Sequence, residues 1–517
     1  MSAHAPQMAT QTAKDADREA FAARVASHGL DLSPDETAGV YGLASWMRDG
    51  LARIDAGASA LAGDIQGMLD LSFIEQGKRL RDGRLTSVAL VEAHLARIEA
   101  RDGAYRSFYR VEAETALAEA ARADAELAEG QDRGPLHGIP IGIKDLIDVA
   151  GLPTTADAPG RAEAIAAADA EVIARLRAGG AVILGKLATY EWGTVGPDSR
   201  GLFPPARNPW SLDHITGGSS SGSAAAVAGG LLRTTLGTDT GGSLRGPAFY
   251  CGVVGLKPTF GLVPMTGVLG MSHSMDHVGP MSATVAEAAL TLDVIAGLAG
   301  SSASTRLLGQ PIAGLRIGYA RNWFAGDAQT MPAVQTAMDA AMSTLSELGA
   351  VIEEIELPDY PLIEVAAAAI LHKESFDYHA QALRENPQAY GRRAFLSLVA
   401  GVAVTDAELA LARQAGDRFR AAVDALLTRH DCLVTVGALT TALLAAPFEK
   451  EAVWTPMRTI GFNVSGHPVL AMPVGFDQGL PIGMQIIGVH RGEATLVQLG
   501  DAFEKATDHA VQRPPAP

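Results

Sequence analysis

Apolar positions recur three and four residues apart over Leu90, Val91, Leu95 and Ile98, with His94 on the same stripe. Thr86 or Ser87 offers an N-cap, so this pattern predicts a helix running to about Arg101. An Ala- and Glu-rich helix is predicted next, at about 111–130. The pattern then changes. Gly138-Ile139-Pro140-Ile141-Gly142-Ile143 is a short, continuous apolar run and reads as a buried strand. Residues 170–178 read as a helix stopped by Gly179-Gly180, and Ala181-Val182-Ile183-Leu184 as a second buried strand. Strand, helix, strand predicts a parallel sheet covered on both faces, hence an α/β fold.

The same reading continues to the end of the chain. A helix is predicted from Ser223 to Ala228, a strand at Leu315–Tyr319, a helix at Pro332–Leu348 and a strand at Val351–Leu357. A helix over 405–429 precedes late strands at Cys432–Val436, Val469–Val474 and Met484–Ile487, and a last helix runs from about Ala494 to Ala506. The Gly-, Pro- and Ser-rich zone 197–280 is patterned rather than repetitive and reads as active-site loops. At the other end, Val40, Leu43, Trp46, Met47 and Leu51 keep helical spacing. Residues 1–70 are therefore expected to be a helical extension used for packing or for contact within a homodimer.

Composition narrows the class. Apolar residues make up 48% of the 517 positions and charged residues 19%, enough for a large buried core. The net charge of −17 argues against broad contact with nucleic acid or an anionic membrane surface. Two cysteines, Cys251 and Cys432, do not make a disulfide framework, and no Cys/His spacing suggests a structural zinc or other metal. Met1 to Phe21 is polar and no apolar run reaches 18 residues, so neither a secretory signal nor a membrane span is expected. The default expectation is a soluble, cytoplasmic protein.

The basic residues change the picture further. Eight of the 41 are lysine, most of them in polar, helix-like or loop contexts. Lys144 differs, standing among Ile141, Ile143, Leu146 and Ile147. Ser219 follows it by 75 residues, in Gly217-Gly218-Ser219-Ser220-Ser221-Gly222. Ser243 lies 24 residues further on, in Gly237-Thr238-Asp239-Thr240-Gly241-Gly242-Ser243. A serine hydroxyl needs a base and donors for the developing oxyanion before it acts as a nucleophile. His214 is the one histidine near either serine loop, and no spacing marks it as the base. An apolar setting penalises the ammonium form and leaves a lysine amine free to accept a proton. Ser219 could pass that proton between Lys144 and Ser243, while the amides of Thr240, Gly241, Gly242 and Ser243 form the oxyanion hole. Other readings stay open. A Gly-Ser loop ahead of a helix also binds anions, and a lone lysine can snorkel to water. Gly218-Ser219-Ser220-Ser221-Gly222 also fits the Gly-x-Ser-x-Gly elbow, with Ser220 as nucleophile and His467 or His490 downstream, although a loop-like stretch precedes it.

These motifs, in this order, resemble the amidase signature family of serine hydrolases. The resemblance spans about residues 70–510. It is carried by Gly134-Pro135-Leu136-His137-Gly138-Ile139-Pro140 into Lys144-Asp145, by Arg207-Asn208-Pro209-Trp210, by Gly217–Ala228 and by Gly237–Arg245. Further matches are Cys251–Thr259, Asp276–Met281, Gly466-His467-Pro468 and Gly479–Gly483. It implies one large domain, 71–510, with a mixed central sheet flanked by helices and no cofactor. It also implies a Ser–cis-Ser–Lys triad in which Ser243 is the nucleophile, Ser219 the bridging serine on a cis peptide bond and Lys144 the base. Ser220, Asp239 and Arg245 fall on supporting positions, and an Asp239–Arg245 ion pair is plausible on charge alone.

Three stretches depart from the family pattern. Ser221 stands where glycine is usual, Thr154-Thr155-Ala156-Asp157 replaces Thr-Thr-x-Gly-Ser, and Val436-Gly437-Ala438 replaces a Pro-Thr. Asp157 is expected to alter the pocket rim.

The expected activity is hydrolysis of a small primary, aryl or alkyl carboxylic amide through an acyl-enzyme. A carbamate or ester hydrolase uses the same triad. The glutaminase subunit of a tRNA-dependent amidotransferase is the other enzyme class the resemblance admits, and a binding protein on an inactive fold the third. Residues 305–460, which hold Phe376, Leu398, Leu439, Leu443, Leu444, Phe448 and Trp454 with His372, Tyr378 and His379, are expected to supply both core and pocket. Tyr190 and Trp192 are expected near the site's edge.

Overall fold

Short apolar runs separated by helices pair side by side into one sheet, as their sequence pattern predicts. A computed structural model describes residues 20–27, 33, 36, 40 and 67–517. The chain divides into two compact units, Met1–Met68 and Leu69–Pro517. In the first unit residues 20–27 are helical, and of the positions with helical spacing Leu43, Trp46, Met47 and Leu51 lie outside the described residues.

The second unit carries the strands β1 (Phe108–Val111), β2 (Pro140–Lys144), β3 (Val182–Leu187), β4 (Thr234–Asp239), β5 (Val254–Lys257) and β6 (His277–Ser282). It continues with β7 (Arg316–Tyr319), β8 (Val351–Glu354), β9 (Cys432–Val436), β10 (Val469–Asp477) and β11 (Leu480–Ile487). They form an 11-stranded sheet in the order β1-β3-β2-β4-β6-β5-β10-β11-β9-β7-β8. The runs β3-β2-β4 and β9-β7-β8 are parallel and the remaining neighbours antiparallel, so the sheet is mixed. β2, β3 and β4 are buried along their whole length, as strands covered on both faces must be. Asp477 pairs with Leu480 around Gln478-Gly479, both at positive φ (48° and 81°), the geometry of a two-residue type I′ hairpin.

Most predicted helices form, and the N-cap expected at Thr86 is present. Thr86 accepts the Ala89 N–H and opens Ser87–Tyr105. Thr405 and Glu408 make a reciprocal capping box at the start of Asp406–Leu427. The zone 197–280 is the main correction. Besides loops and the expected helix, which runs Ser221–Ala228, it holds β4, β5, the start of β6 and the helix Arg245–Cys251. The sequence hides these strands because β4 has one aliphatic residue, Leu236, and so no apolar run, and β6 carries Pro280, a residue that ordinarily argues against an interior strand. β1 also went unpredicted; only its first two residues are even partly buried, so its apolar pattern is weak.

Among the described residues no single helix is long and apolar enough to cross a membrane. Arg392–Ala403 and Asp406–Leu427 match such a span only when joined, and they meet at 94°.

Candidate active site

β2 and β4 run parallel as neighbours and end on Lys144 and Asp239, so the two residues leave the sheet at the same, carboxyl-terminal edge. Ligand sites in open α/β sheets form at such edges. Lys144 is fully buried. Its Nζ lies 2.7 Å from Ser219 Oγ, 2.9 Å from Ser220 Oγ and 2.7 Å from Thr238 Oγ1. No carboxylate is among these partners. Burial holds the lysine well below its ordinary pKa, and the more distant Asp239 and Asp276 carboxyls pull it back only in part.

The first serine loop is placed by the helix Ser221–Ala228. The Gly218–Ser219 peptide is cis. A side chain at Gly218 would collide with the Tyr190 ring, so this close approach requires glycine. Ser220 Oγ accepts from Lys144 and from Thr238 N–H, and donates to Thr238 O at 3.1 Å. Ser221, the departure from glycine, donates to Ala188 O.

The second loop connects β4 to the helix Arg245–Cys251 and is tied down by a buried ion pair. Arg245 Nε and Nη2 meet Asp239 Oδ2 and Oδ1 at 2.9 and 3.0 Å, a two-pronged contact with neither side chain exposed. That guanidinium and the Asn463 amide keep Asp239 far below the usual carboxylate range despite burial. Ser243 is half-buried, and its Oγ has no protein hydrogen bond among the described residues. Ser220 N–H donates to Ser243 O at 3.0 Å and joins the two loops.

The loop also revises the expected oxyanion donors. Gly242 N–H donates to Asp239 Oδ1 at 2.8 Å and is therefore already used within the protein. The amides of Thr240, Gly241 and Ser243 carry no such bond among the described residues. Gly242 serves geometry instead: its φ is +124°, and a Cβ there would strike the Thr459 side chain.

With this geometry in place, comparison with known proteins is direct. The Amidase family model matches residues 89–497. The chain belongs to the amidase family. A glutamyl-tRNA(Gln) amidotransferase subunit from a Roseiflexus species is 36% identical over 485 residues, covering 86% of this chain and 98% of that one. The solved peptide amidase of Stenotrophomonas maltophilia superposes with a TM-score of 0.74 at 31% identity, over 86% of this chain and 98% of the other. A structure from a vestigial protein complex that reveals the origins of an s-triazine catabolic enzyme superposes with a TM-score of 0.78 at 33% identity, over 84% and 98%. The mixed sheet flanked by helices is the fold these amidase relatives share.

In this amidase, a cleft is lined by Ser243, Thr240 and Gly241. Tyr190, Gly218, Leu371, His372 and Ile460 also line it. Of the residues expected in the pocket region, His372 and Trp454 line the cleft. Leu398, Leu439 and Phe448 are core, while Leu444 and Tyr378 face solvent. Tyr190 reaches the cleft, but Trp192 packs in a cluster with Leu383 and Tyr390. Asp157 is a correction. It is buried away from the cleft lining, at φ 55°, accepts Phe203 N–H at 2.9 Å, and burial pushes its carboxyl up to about 8.

The nucleophile-elbow reading fails on geometry. Ser220 is fully buried against Lys144, whereas His467 Nε2 lies 3.0 Å from Asp424 Oδ1 and its ring stacks near His490. Asp424, His467 and His490 do bring three potential metal-ligand atoms within 4.8 Å of one another, a grouping that linear spacing does not reveal.

Sequence reasoning missed Thr238, Asn463 and Gln485. Thr238 sits one residue before Asp239 and its hydroxyl was a readable signal. Asn463 and Gln485 reach Arg245 from more than 200 positions away and left none.

Proposed function

We propose that this amidase is an amide hydrolase that works through an acyl-enzyme on Ser243. The observation that carries the reading is the Lys144 amine. It is buried, shifted toward its neutral form, and 2.7 Å from Ser219 Oγ beside a cleft that exposes Ser243. A neutral amine has two N–H groups and one lone pair. Donation to Ser220 and Thr238 leaves the lone pair for the Ser219 hydroxyl.

The cycle follows from that arrangement. Ser243 turns toward Ser219 when a carbonyl is bound, which is common where a ligand-free site is loosely aligned. Its proton passes to Ser219 Oγ as Ser219 gives its own to Lys144 Nζ. Ser243 Oγ then bonds to the carbonyl carbon. The amides of Thr240, Gly241 and Ser243 hold the oxyanion, three donors where the sequence suggested four. The C–N bond breaks as the nitrogen takes the proton back from Lys144 through Ser219, and ammonia or amine departs. Water attacks the ester, returning a proton along the same route. The acid leaves and Ser243 regains its hydrogen. Asp239 and Arg245 hold the loop but touch no reacting atom in this scheme.

The sequence relatives named as amidotransferase subunits favour a second reading, glutaminase. Against it, no lysine or arginine lines the cleft among the described residues, so a free amino acid carboxylate would meet no lysine or arginine partner there. The deciding experiment measures ammonia and amine release by the purified protein from glutamine, aliphatic primary amides, aryl amides, anilides and a carbamate, with Ser243→Ala as control. Turnover of an apolar amide that Ser243→Ala lacks by roughly 10⁴-fold or more supports the proposal. Turnover of glutamine alone, or undiminished turnover by Ser243→Ala, overturns it.

A further inference from the structure

The cleft is mostly apolar, and among its described lining residues Glu364 is the one whose charge is unopposed. Tyr360, Glu364 and Leu371 share one face of the helix Tyr360–Glu385, because four and eleven residues are close to whole turns. That face lines the cleft. One Glu364 oxygen accepts the Trp454 indole N–H at 3.1 Å, and the indole is 60% exposed at the mouth. A carboxylate and an aromatic face side by side make a pair that attracts a cation and repels an anion.

The candidates for neutralising this carboxylate are otherwise engaged. Lys144 is held toward the neutral amine by burial. Burial likewise holds His372 below the ordinary histidine pKa, with Nδ1 directed at Ser397 O. Arg458 is not part of the lining; it pairs with Asp327 and lies over the Tyr360 ring at 4.4 Å.

We propose that Glu364, framed by Trp454, selects substrates by charge, so that the cleft takes amides carrying a cationic group such as an ammonium beyond an apolar spacer, and discriminates against amides carrying a carboxylate. This rests on the reading of the cleft as the amide site. It adds a specificity-determining residue and a substrate class, an amino-substituted alkyl or aryl amide.

The test uses three amides of matched length: 6-aminohexanamide, heptanamide and adipic acid monoamide. Each is measured as a substrate and as a competitor of whichever panel amide the full-length protein cleaves best. The expected order is ammonium, neutral, carboxylate, with roughly threefold to tenfold between neighbours at low salt and less at high salt, as a partly exposed charge dictates. Glu364→Gln keeps an acceptor for the indole and removes the charge. It is expected to compress the series to within about twofold, and Glu364→Lys to invert it. Equal kcat/KM and inhibition across the series in the unaltered protein, or an order unchanged in Glu364→Gln, would sink the charge assignment while leaving amide hydrolysis standing. Failure to cleave any panel amide counts against the hydrolase reading itself.

Discussion

Lys144 and Lys186 stand on neighbouring parallel strands, and both are essentially without solvent exposure. The register pairs Ile143 with Lys186 and Lys144 with Leu187, so the two lysines project from opposite faces of the sheet. On its face Lys186 meets the Asp145 carboxylate at 2.8 Å, with Thr154 Oγ1 at 3.1 Å and Pro153 O at 3.2 Å. On the other face Lys144 meets three hydroxyls. Burial lowers both pKa values, but Asp145 opposes the shift of Lys186 directly, whereas Lys144 has only remote carboxyls to oppose it. Burial alone therefore does not make a base. The partner decides, since a carboxylate keeps the proton on the amine and hydroxyls let it go. Lys257 is buried without a carboxylate partner too, but it donates to Pro258 O and His467 O beside His277 and meets no serine or threonine hydroxyl.

The sharpest way to break this contrast is Lys144→Met. It should cost roughly 10²- to 10⁴-fold in kcat/KM, the scale of general acid–base catalysis, with an unchanged circular dichroism spectrum. A modest loss would place the base elsewhere. The pH profile is the next largest effect. The amine acts unprotonated, so activity should climb about tenfold per pH unit below the lysine's depressed pKa and level off well below 10.5. Asp239 and Asp276, the latter raised to about 6 by burial, are the carboxyls near enough to pull that midpoint upward. A rate that stays flat from acid to alkaline pH contradicts the assignment.

Lys186→Met should do the opposite of Lys144→Met. It leaves Asp145 buried without its cation, so chemical denaturation should show about 3–5 kcal/mol less stability. The pH midpoint of the folded enzyme should not move. A shifted midpoint would mean that the two sheet faces are not independent. Thr238→Val is the finest probe. Removing one acceptor disfavours the ammonium, so the midpoint should move to lower pH, with kcat down roughly threefold to thirtyfold. A midpoint that rises instead would show that Thr238 does not accept from Lys144.

The parts of the site readable from sequence were those whose neighbours in space are also neighbours in the chain. Lys144 announced itself through four adjacent apolar residues, and β2 is buried as that run implied. Asp239 and Arg245 are six positions apart, within reach across one turn, and they pair. The strands β4 and β6 were hidden because β4 offers one aliphatic residue, Leu236, and β6 carries Pro280, while the flanking strands that fix both are distant in the chain. Lys186 looked ordinary because the chain shows Gly185-Lys186-Leu187 but not Asp145 across the neighbouring strand.

Amino-acid order by itself singled out the candidate set: one lysine in an apolar run, two serine loops with glycines where backbones must approach closely, and an alternation of strands and helices that requires a covered sheet. These are short-range properties of side-chain type and backbone freedom. Tertiary structure decided which of several buried lysines faces the serine hydroxyls, which loop amide is already spent on Asp239, and which distant residues hold Arg245. It also brought Glu364 and Trp454, 90 positions apart, to the mouth of one cleft. Those outcomes depend on strand order and register, because an electrostatic environment sums over everything within a few ångströms, whatever its distance along the chain.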